Sequence, residues 1–419
     1  MFPRVDSACG IDVHRSKLTA TIIDASGSYE TKNYSTQLPD LIRLRDWIVE
    51  NNCSRVLMEA TGVYWVPVYT ILEHAVPTFV ANPYFIKYVP SSKTDTKDAV
   101  WIAEICLEGH FKASYIPEER VRDYRDLCRS YKNLVKERTR YRNRIHTILS
   151  RAGIRITPVI SDLFGKSGLI ILDGLVKRKT FDEIFAQLSH PGIVKKREKI
   201  EAAICGELTE NDIFGIQSAH RMLQQIEKEI DIHLSRMVDL FENDPEQINI
   251  LLSIPGIQLQ SASMILAEIG DVTRFHSAKQ IVRYAGLDPR VSESAGKTRM
   301  GSISKQGNKH LRTYLVECAS ALSRSKDNMF RQFYERIKRK KGHKQAVVAV
   351  ARKLLTIIHH LLTNKEMYED PLMTKPKQIK IPKLKTRQPI NLTNASQMLK
   401  SVMAGIAVKT KTIDVYPHT

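Results

Sequence analysis

The order of hydrophobic patterns over residues 7 to about 110 restricts the fold of this chain more than any other feature. Three strand-like runs come first: Ala8–Val13, Leu18–Ile23 and Tyr29–Tyr34, the first two separated by a short polar turn. A helical pattern over Leu41–Val49, a short apolar strand at Arg55–Met58, a helix at Val63–His74 and another strand at Pro77–Ala81 follow. Alternation with period two marks the strands and 3.6-residue periodicity marks the helices. A three-strand meander followed by helix–strand alternation is the order of an RNase H-like α/β sheet. It differs from the strict βαβ repeat of a dinucleotide-binding fold.

Beyond Glu118 the pattern becomes long, helical and basic to about Ala152, with Arg125, Arg129, Lys132, Lys136, Arg138, Arg140, Arg142 and Arg144. A second long helix is expected from Asp212 to Phe241. Its apolar row Ile216, Leu223, Ile230, Met237 and the companion row Ala219, Ile226, His233, Leu240 form a heptad seam, the pattern of a coiled coil. Gly153 to Glu210, punctuated by Gly and Pro, reads as a small helical insertion, and Leu251 to Thr363 as a compact, mostly α-helical domain. The Lys- and Pro-rich stretch Glu366–Thr419 reads as a flexible basic tail, with weak helical potential at Gln397–Val408. The expected division is 1–112 (α/β), 113–245 (helical coiled-coil connector with the insertion 153–210), 246–365 (helical) and 366–419 (tail).

Charge narrows the partners. The 419 residues carry a formal net charge of +19, which favours polyanions, because each neutralised phosphate releases condensed counterions. Anionic membrane surfaces would call instead for a basic amphipathic anchor or a long apolar segment. The most apolar stretches, such as Gly168 to Val176, are too short to span. Met1-Phe-Pro-Arg lacks the basic-then-apolar design of a signal peptide. The six cysteines have no paired spacing, which argues against a zinc site or a disulfide framework and suits a reducing compartment. A soluble, cytoplasmic, nucleoid-associated protein that binds nucleic acid and no membrane is expected.

Four acids stand at expected element ends. Asp12 closes the first strand in Cys-Gly-Ile-Asp-Val-His, and Glu59 closes the buried strand in Leu-Met-Glu-Ala-Thr-Gly. Asp95 and Asp98 open a helix in Lys-Thr-Asp-Thr-Lys-Asp-Ala, and their i, i+3 spacing puts them on one face. Taken singly, Asp12 reads as a strand-end acid, Asp95 as a helix N-cap and Glu59 as a turn former. Converging at one sheet edge, the four form an oxygen-only site suited to Mg²⁺ or Mn²⁺, able to assist phosphodiester chemistry. Lys93, at the head of the same stretch, joins the expected nucleic-acid contacts.

In the second half, Ser253-Ile-Pro-Gly-Ile-Gln258 followed by Ile265-Leu-Ala-Glu-Ile-Gly270 has the look of a helix-hairpin-helix element or of a plain helical turn. Gln258 stands where that motif usually carries its second glycine. Ser294 precedes Ala-Gly-Lys on an expected flexible loop, among Arg290, Lys297, Arg299, Lys305, Lys309 and Arg312. Spacing alone assigns a phosphate-binding loop first and a nucleophile second; with no His–Asp pattern nearby, a metal or a basic group would have to activate the serine. The run Arg336 to Lys344 reads as a solvated, phosphate-contacting loop before a helix at Ala346–Leu362.

The ordered set Gly-Ile-Asp12-Val-His, Met-Glu59-Ala-Thr-Gly-Val-Tyr, Lys-Thr-Asp95-Thr-Lys-Asp98-Ala, Ile-Pro-Gly-Ile, Ala-Glu-Ile-Gly-Asp, Ala-Gly-Leu-Asp-Pro, Ser294-Ala-Gly-Lys and Ile-Ser-Lys-Gln-Gly-Asn resembles insertion-sequence family one-ten. These are the DEDD transposases, which include Piv-like DNA invertases. The resemblance covers roughly residues 7–112 and 119–365. It implies a RuvC-like domain, a coiled-coil connector and a C-terminal transposase domain. It further implies Asp12, Glu59, Asp95 and Asp98 as Mg²⁺ ligands and Ser294 as the nucleophile of a phosphoserine intermediate. Ser292 is the alternative, since this chain has Ser-Ala-Gly where relatives more often have Ser-Gly-Gly. Donor and target DNA, a structured non-coding guide RNA and a homo-dimer or tetramer are the partners so implied, and the heptad seam and the basic helix Arg120–Arg151 suit them. Rival readings are a metal-dependent junction nuclease that cuts without rejoining, and a non-catalytic nucleic-acid-binding protein; within the family, an invertase stands beside a transposase.

Overall fold

Around β1 (Ser7–Val13), two partners run antiparallel outward on one side and two run parallel on the other, in the order β3-β2-β1-β4-β5, in a computed structural model. The structure describes residues 2–82, 95–240, 245–294, 297–325 and 328–370, with the backbone alone at 239–240, 291–294 and 297–300. Lys93 and the tail from residue 371 lie outside the described residues. The chain divides into two compact units, Met1–Glu118 and Glu119–Thr419.

In the first unit, the short links His14–Ser16 and Ala25–Ser28 fold β2 (Lys17–Asp24) and β3 (Tyr29–Ser35) back as hairpins. Helix α1 (Leu38–Glu50) carries the chain across to β4 (Arg55–Glu59), and α2 (Trp65–Leu72) carries it on to β5 (Thr78–Ala81). Such helical crossovers return a strand parallel. Cys9, Ile11, Val13, Val56 and Met58 pack on one face against Leu41, Leu44, Ile48, Val68 and Leu72 of α1 and α2. Ala8 and Leu57 pack on the other face against Ile102, Ala103 and Cys106 of α3 (Asp95–Glu108). The strand order and directions are those expected of an RNase H-like sheet.

Helix α3 lies unusually close to β1. A Cβ on Gly10 would stand 2.1 Å from the Ala103 nitrogen and 2.5 Å from the Ala99 carbonyl oxygen, so only glycine admits the helix backbone there. Arg55 anchors the far end of α3: its buried guanidinium donates to the carbonyls of Cys106 (2.8 Å) and Leu107 (3.1 Å), groups that a helix C-terminus leaves without intrahelical partners.

The second unit opens with two long helices, α4 (Glu119–Arg151) and α9 (Glu210–Leu240). They pack antiparallel, as Ser130–His233 (3.1 Å), Arg142–Glu227 (3.0 Å) and Arg151–Asp212 (3.4 Å) contacts show. The heptad row Ile216, Ala219, Leu223, Ile226, Ile230 and Met237 is buried, and α4 of the same chain is the helix packed along it. Between the long helices stand α5 (Lys166–Val176), α6 (Phe181–Phe185), α7 (Pro191–Val194) and α8 (Arg197–Ala203). With the adjoining ends of α4 and α9 they close a separate core around Ile145, Leu149, Ile171, Leu172, Ile200 and Ile216.

The remaining core gathers α10 (Pro245–Ser253), α11 (Leu259–Ile269), α12 (Ala278–Tyr284), α13 (Lys309–Arg324) and α14 (Met329–Asn364). Three expectations need correction here. By length and composition α14 could cross a membrane, although no apolar segment of that length was expected; half of its apolar window is buried, with Val350, Leu354, Leu355 and Ile358 inside the domain core. The basic run Arg336–Lys344 is helical rather than a loop, and α14 kinks only at Gly342 (φ 79°). The chain also stays packed beyond Glu366: the Tyr368 amide donates to Ser253 Oγ (2.8 Å), and Asp370 accepts from the Met329 amide (3.3 Å).

Replacing Gly10 by Ala should destabilise the protein by about 3 kcal/mol or more, because the added methyl meets backbone rather than a yielding side chain. Urea denaturation of the variant beside the wild type measures this directly.

Candidate active site

Alternation along β1 and β4 decides which acids meet. Cys9, Ile11 and Val13 face the α1/α2 core, so Gly10 and Asp12 face α3. Val56 and Met58 face that same core while Leu57 faces α3, which gives Glu59 the α3 side as well. Ile11 pairs with Met58 in parallel register, so Asp12 and Glu59 end level at the carboxyl edge of adjacent strands. Helix α3 presents its first turn, with Asp95 and Asp98, to this edge.

Asp12 is 7% exposed, and its burial raises its pKa above the ordinary carboxylate value. Nearby His14 acts against the shift, while Asp98 and Asp95 reinforce it, which is the electrostatic sign of acids crowded together. His14 Nε2 lies 3.1 Å from Asp12 Oδ2 and 3.6 Å from Asp95 Oδ1. Lys17 Nζ donates to Asp95 Oδ2 at 3.1 Å; that bond is the main reason the Asp95 pKa is lowered. Ligand atoms of Asp12, His14 and Asp95 all lie within 4.8 Å of one another. Two carboxylates and an imidazole so gathered fit a divalent cation.

His14, a nitrogen donor outside the four expected acids, thus lies beside Asp12 and Asp95. His14 was legible only as the tail of the Asp12 motif, although two-residue spacing at a strand end was a signal that it shares the Asp12 side. Asp98 lies close enough to act on the Asp12 charge, and Glu59 stands beside Asp12 through strand register.

Ser294 lies on neither a flexible loop nor a helix. It closes β6 (Pro289–Ser294), paired with Lys297 at the start of β7 (Lys297–Ile303), and Ser292 pairs with Arg299. Arg290 is exposed at an irregularity in the register and donates to the Ser304 carbonyl (3.3 Å).

The segment after β7 is zipped to the segment before β6. Ser304 donates through Oγ to Asp288 Oδ1 (2.5 Å) and through its amide to the Asp288 carbonyl (2.7 Å). Gly286 faces the Lys305–Gln306 backbone so closely that a Cβ would stand 2.6 Å from the Gln306 carbonyl oxygen. Asn308 caps α13, its Oδ1 accepting from the amides of His310 (2.9 Å) and Leu311 (3.0 Å). The Asn308 Nδ2 group donates to Glu268 Oε2 at 2.7 Å. Lys305 and Lys309 are exposed beside this cap, whereas Arg312 is half-buried and donates to the Ala285 carbonyl (2.9 Å). Lys344 is exposed just past the Gly342 kink.

Glu268 is fully buried and joins this loop to α4. Arg129 binds it in bidentate fashion (2.8 and 2.9 Å), and Arg125 donates to the carbonyls of Ala267 (2.6 Å) and Glu268 (2.8 Å). Burial pushes the Glu268 carboxyl up, but the bonds from Arg129 and Asn308 outweigh it and hold the pKa below the ordinary value. Arg125 and Arg129 are thereby structural, Lys132 pairs with Glu317 (2.7 Å) and Arg142 with Glu227 (3.0 Å), so much of the α4 charge is matched internally.

The hairpin between α10 and α11 turns at Gly256 (φ 76°). Gln258 adopts φ −109°, which any residue reaches, so the missing second glycine leaves no strain; its side chain does not cap α11.

An RNase H-like sheet with acids gathered at its parallel edge, followed in the chain by a helical domain with a serine hairpin, defines the class of DEDD recombination enzymes. Residues 9–154 match the DEDD transposase family of IS110 elements, and residues 248–335 match the Transposase IS116/IS110/IS902 family. The chain belongs to the IS110 family of transposases. It is 27% identical over 319 residues to the transposase for insertion sequence element IS1111A of Coxiella burnetii, covering 75% of this chain and 79% of that one. A probable family 20 transposase of Pseudomonas aeruginosa is 25% identical over 332 residues (78% and 89%). The pilin gene-inverting protein of Moraxella bovis is 22% identical over 378 residues (86% and 97%). Among solved structures, T. thermophilus RuvC in complex with a Holliday junction substrate aligns over 24% of this chain and 90% of its own at 13% identity, with a TM-score of 0.19. At that score the strand order alone carries the fold assignment.

Two outcomes follow. Because the folded state holds the Asp12 proton more tightly than the unfolded state does, the cation-free protein loses stability as pH rises from the ordinary carboxylate pKa through the raised one. Asp12→Asn should therefore raise the thermal midpoint at neutral pH in the presence of a chelator, with the gain shrinking as pH falls through that window. Glu268→Ala should cost about 3 kcal/mol by leaving Arg129 unpaired, and hydrogen exchange should show faster amide opening at Ser304–Asn308.

Proposed function

We propose that this transposase cuts and rejoins DNA through a phosphoserine intermediate, with a divalent-cation centre in its RNase H-like domain. The observation that carries the reading is the meeting of Asp12 and Asp95 at the carboxyl edge of β1, with Asp98 and Glu59 beside them. Asp12, Glu59, Asp95 and Asp98 would hold Mg²⁺ or Mn²⁺, which supplies charge to steady a phosphodiester under attack. Ser294 Oγ attacks phosphorus, the phosphorus–3′-oxygen bond breaks, and the serine proton ends on the released 3′-hydroxyl. The phosphoserine keeps the energy of the broken bond, so the reverse attack by a 3′-hydroxyl rejoins DNA without ATP. Ser292, two positions earlier on β6, is the alternative nucleophile.

Donor and target DNA are the substrates of this reading. The exposed cations Lys305, Lys309 and Lys344, with Arg290, Lys297 and Arg299, supply phosphate contacts, and Lys93 joins them. A structured guide RNA and a homo-oligomer complete the proposal. The exposed Lys136 and Arg144 of α4 suit a polyanion. Site-specific inversion is the second reading, favoured by the Moraxella relative that aligns over 86% of this chain.

The test is a strand-exchange assay with a divalent cation, DNA carrying both element ends, and the adjacent non-coding RNA. The wild type should leave a covalent protein–DNA adduct on a denaturing gel that Ser294→Ala and Asp12→Ala each abolish, while Ser292→Ala retains it. Cleavage by Ser294→Ala without an adduct would make the protein a metal-dependent nuclease instead.

A further inference from the structure

We propose that His14 is a nitrogen ligand of the cation centre and that it makes the site prefer Mn²⁺ to Mg²⁺. The proposal rests on the reading of the Asp12 cluster as a metal centre and adds to it the choice of metal. Two atoms bound directly to one cation at ~2.1 Å stand about 3.0 Å apart when adjacent and about 4.2 Å apart when opposite. His14 Nε2 is 3.1 Å from Asp12 Oδ2 and 3.6 Å from Asp95 Oδ1, distances that fall between those limits. A residue serving only to offset the two carboxylates needs no such match to both oxygens.

The surrounding contacts favour the same role. Lys17 holds Asp95 through Oδ2, which leaves Oδ1 as the oxygen turned toward His14. The His14 side chain is 52% exposed, so a hydrated ion can reach it, whereas the Asp12 side chain is only 10% exposed. Coordination takes the tautomer with hydrogen on Nδ1, and Nε2 then exchanges its hydrogen bond to Asp12 for a bond to the ion. Imidazole suits first-row transition ions, while Mg²⁺ demands oxygen ligands and gives up water reluctantly. An Asp–His–Asp set therefore favours Mn²⁺ more than four carboxylates alone would.

The experiment titrates the full-length protein, its His14→Ala variant and its Asp12→Asn variant with Mn²⁺ by electron paramagnetic resonance and with Mg²⁺ by calorimetry. Pulsed resonance on the Mn²⁺ complex detects a bound nitrogen. His14→Ala should weaken Mn²⁺ binding about tenfold or more, lose the nitrogen signal and change Mg²⁺ binding by less than about threefold. Asp12→Asn should weaken both ions. Unchanged Mn²⁺ affinity and nitrogen signal in His14→Ala, with both ions weakened in Asp12→Asn, would reduce His14 to a hydrogen-bond partner and leave the metal centre standing. Wild-type binding by Asp12→Asn would remove the metal centre itself.

Discussion

The contact between Gly10 and the backbone of α3 is the constraint on which the first unit depends. With no side chain on Gly10, the helix approaches β1 to backbone distance at Ala99 and Ala103. Arg55 holds the far end of the same helix through its last carbonyls. A helix so placed has little freedom left at its first turn, and that turn carries Asp95 and Asp98. The acids consequently meet Asp12 because of packing at Ala99 and Ala103, not through any attraction between them; burial is the main reason the Asp12 pKa is raised, and Asp98 and Asp95 add to it. His14 and Lys17 offset part of the cost of that crowding, as a bound cation would.

The second unit uses a buried charge in a comparable way. Glu268 has no exposed surface and is satisfied by Arg129 and Asn308, while Arg125 takes the neighbouring carbonyls. Asn308 in turn caps α13 and ends the segment zipped to Gly286 and Asp288. Apolar packing would stabilise as much, but the hydrogen bonds specify one arrangement of the backbone that carries Lys305 and Lys309. Ion pairs tie Arg129, Lys132 and Arg142 to glutamates, so the α4 cations open to phosphate are others, such as the exposed Lys136 and Arg144.

The long α9 seam shows how a periodic pattern leaves its partner open. Its heptad row is buried against α4 of the same chain, which the row alone does not distinguish from a second copy. The α14 pattern is similar: an exposed basic stretch at residues 338–344, kinked at Gly342, precedes an apolar stretch of which half is buried in the domain core. In both cases period and length identify a helix, while the neighbour that covers it is set by distant parts of the chain.

From its sequence alone the chain was legible as an RNase H-like order of strands, because alternation and short links are local properties that each segment carries by itself. The four acids and Ser294 were visible for a related reason: acids at element ends and a serine beside Ala-Gly are read from adjacent residues. Tertiary structure decided what those residues stand next to. It set His14 between Asp12 and Asp95, turned Asp95 by way of Lys17, placed Ser294 on a hairpin, buried Arg125 and tied the half-buried Arg129 to Glu268. These outcomes depend on pairs such as Lys17 with Asp95, or Arg129 with Glu268, that are far apart in the chain. Their spacing follows from strand register and helix packing, which no local pattern encodes.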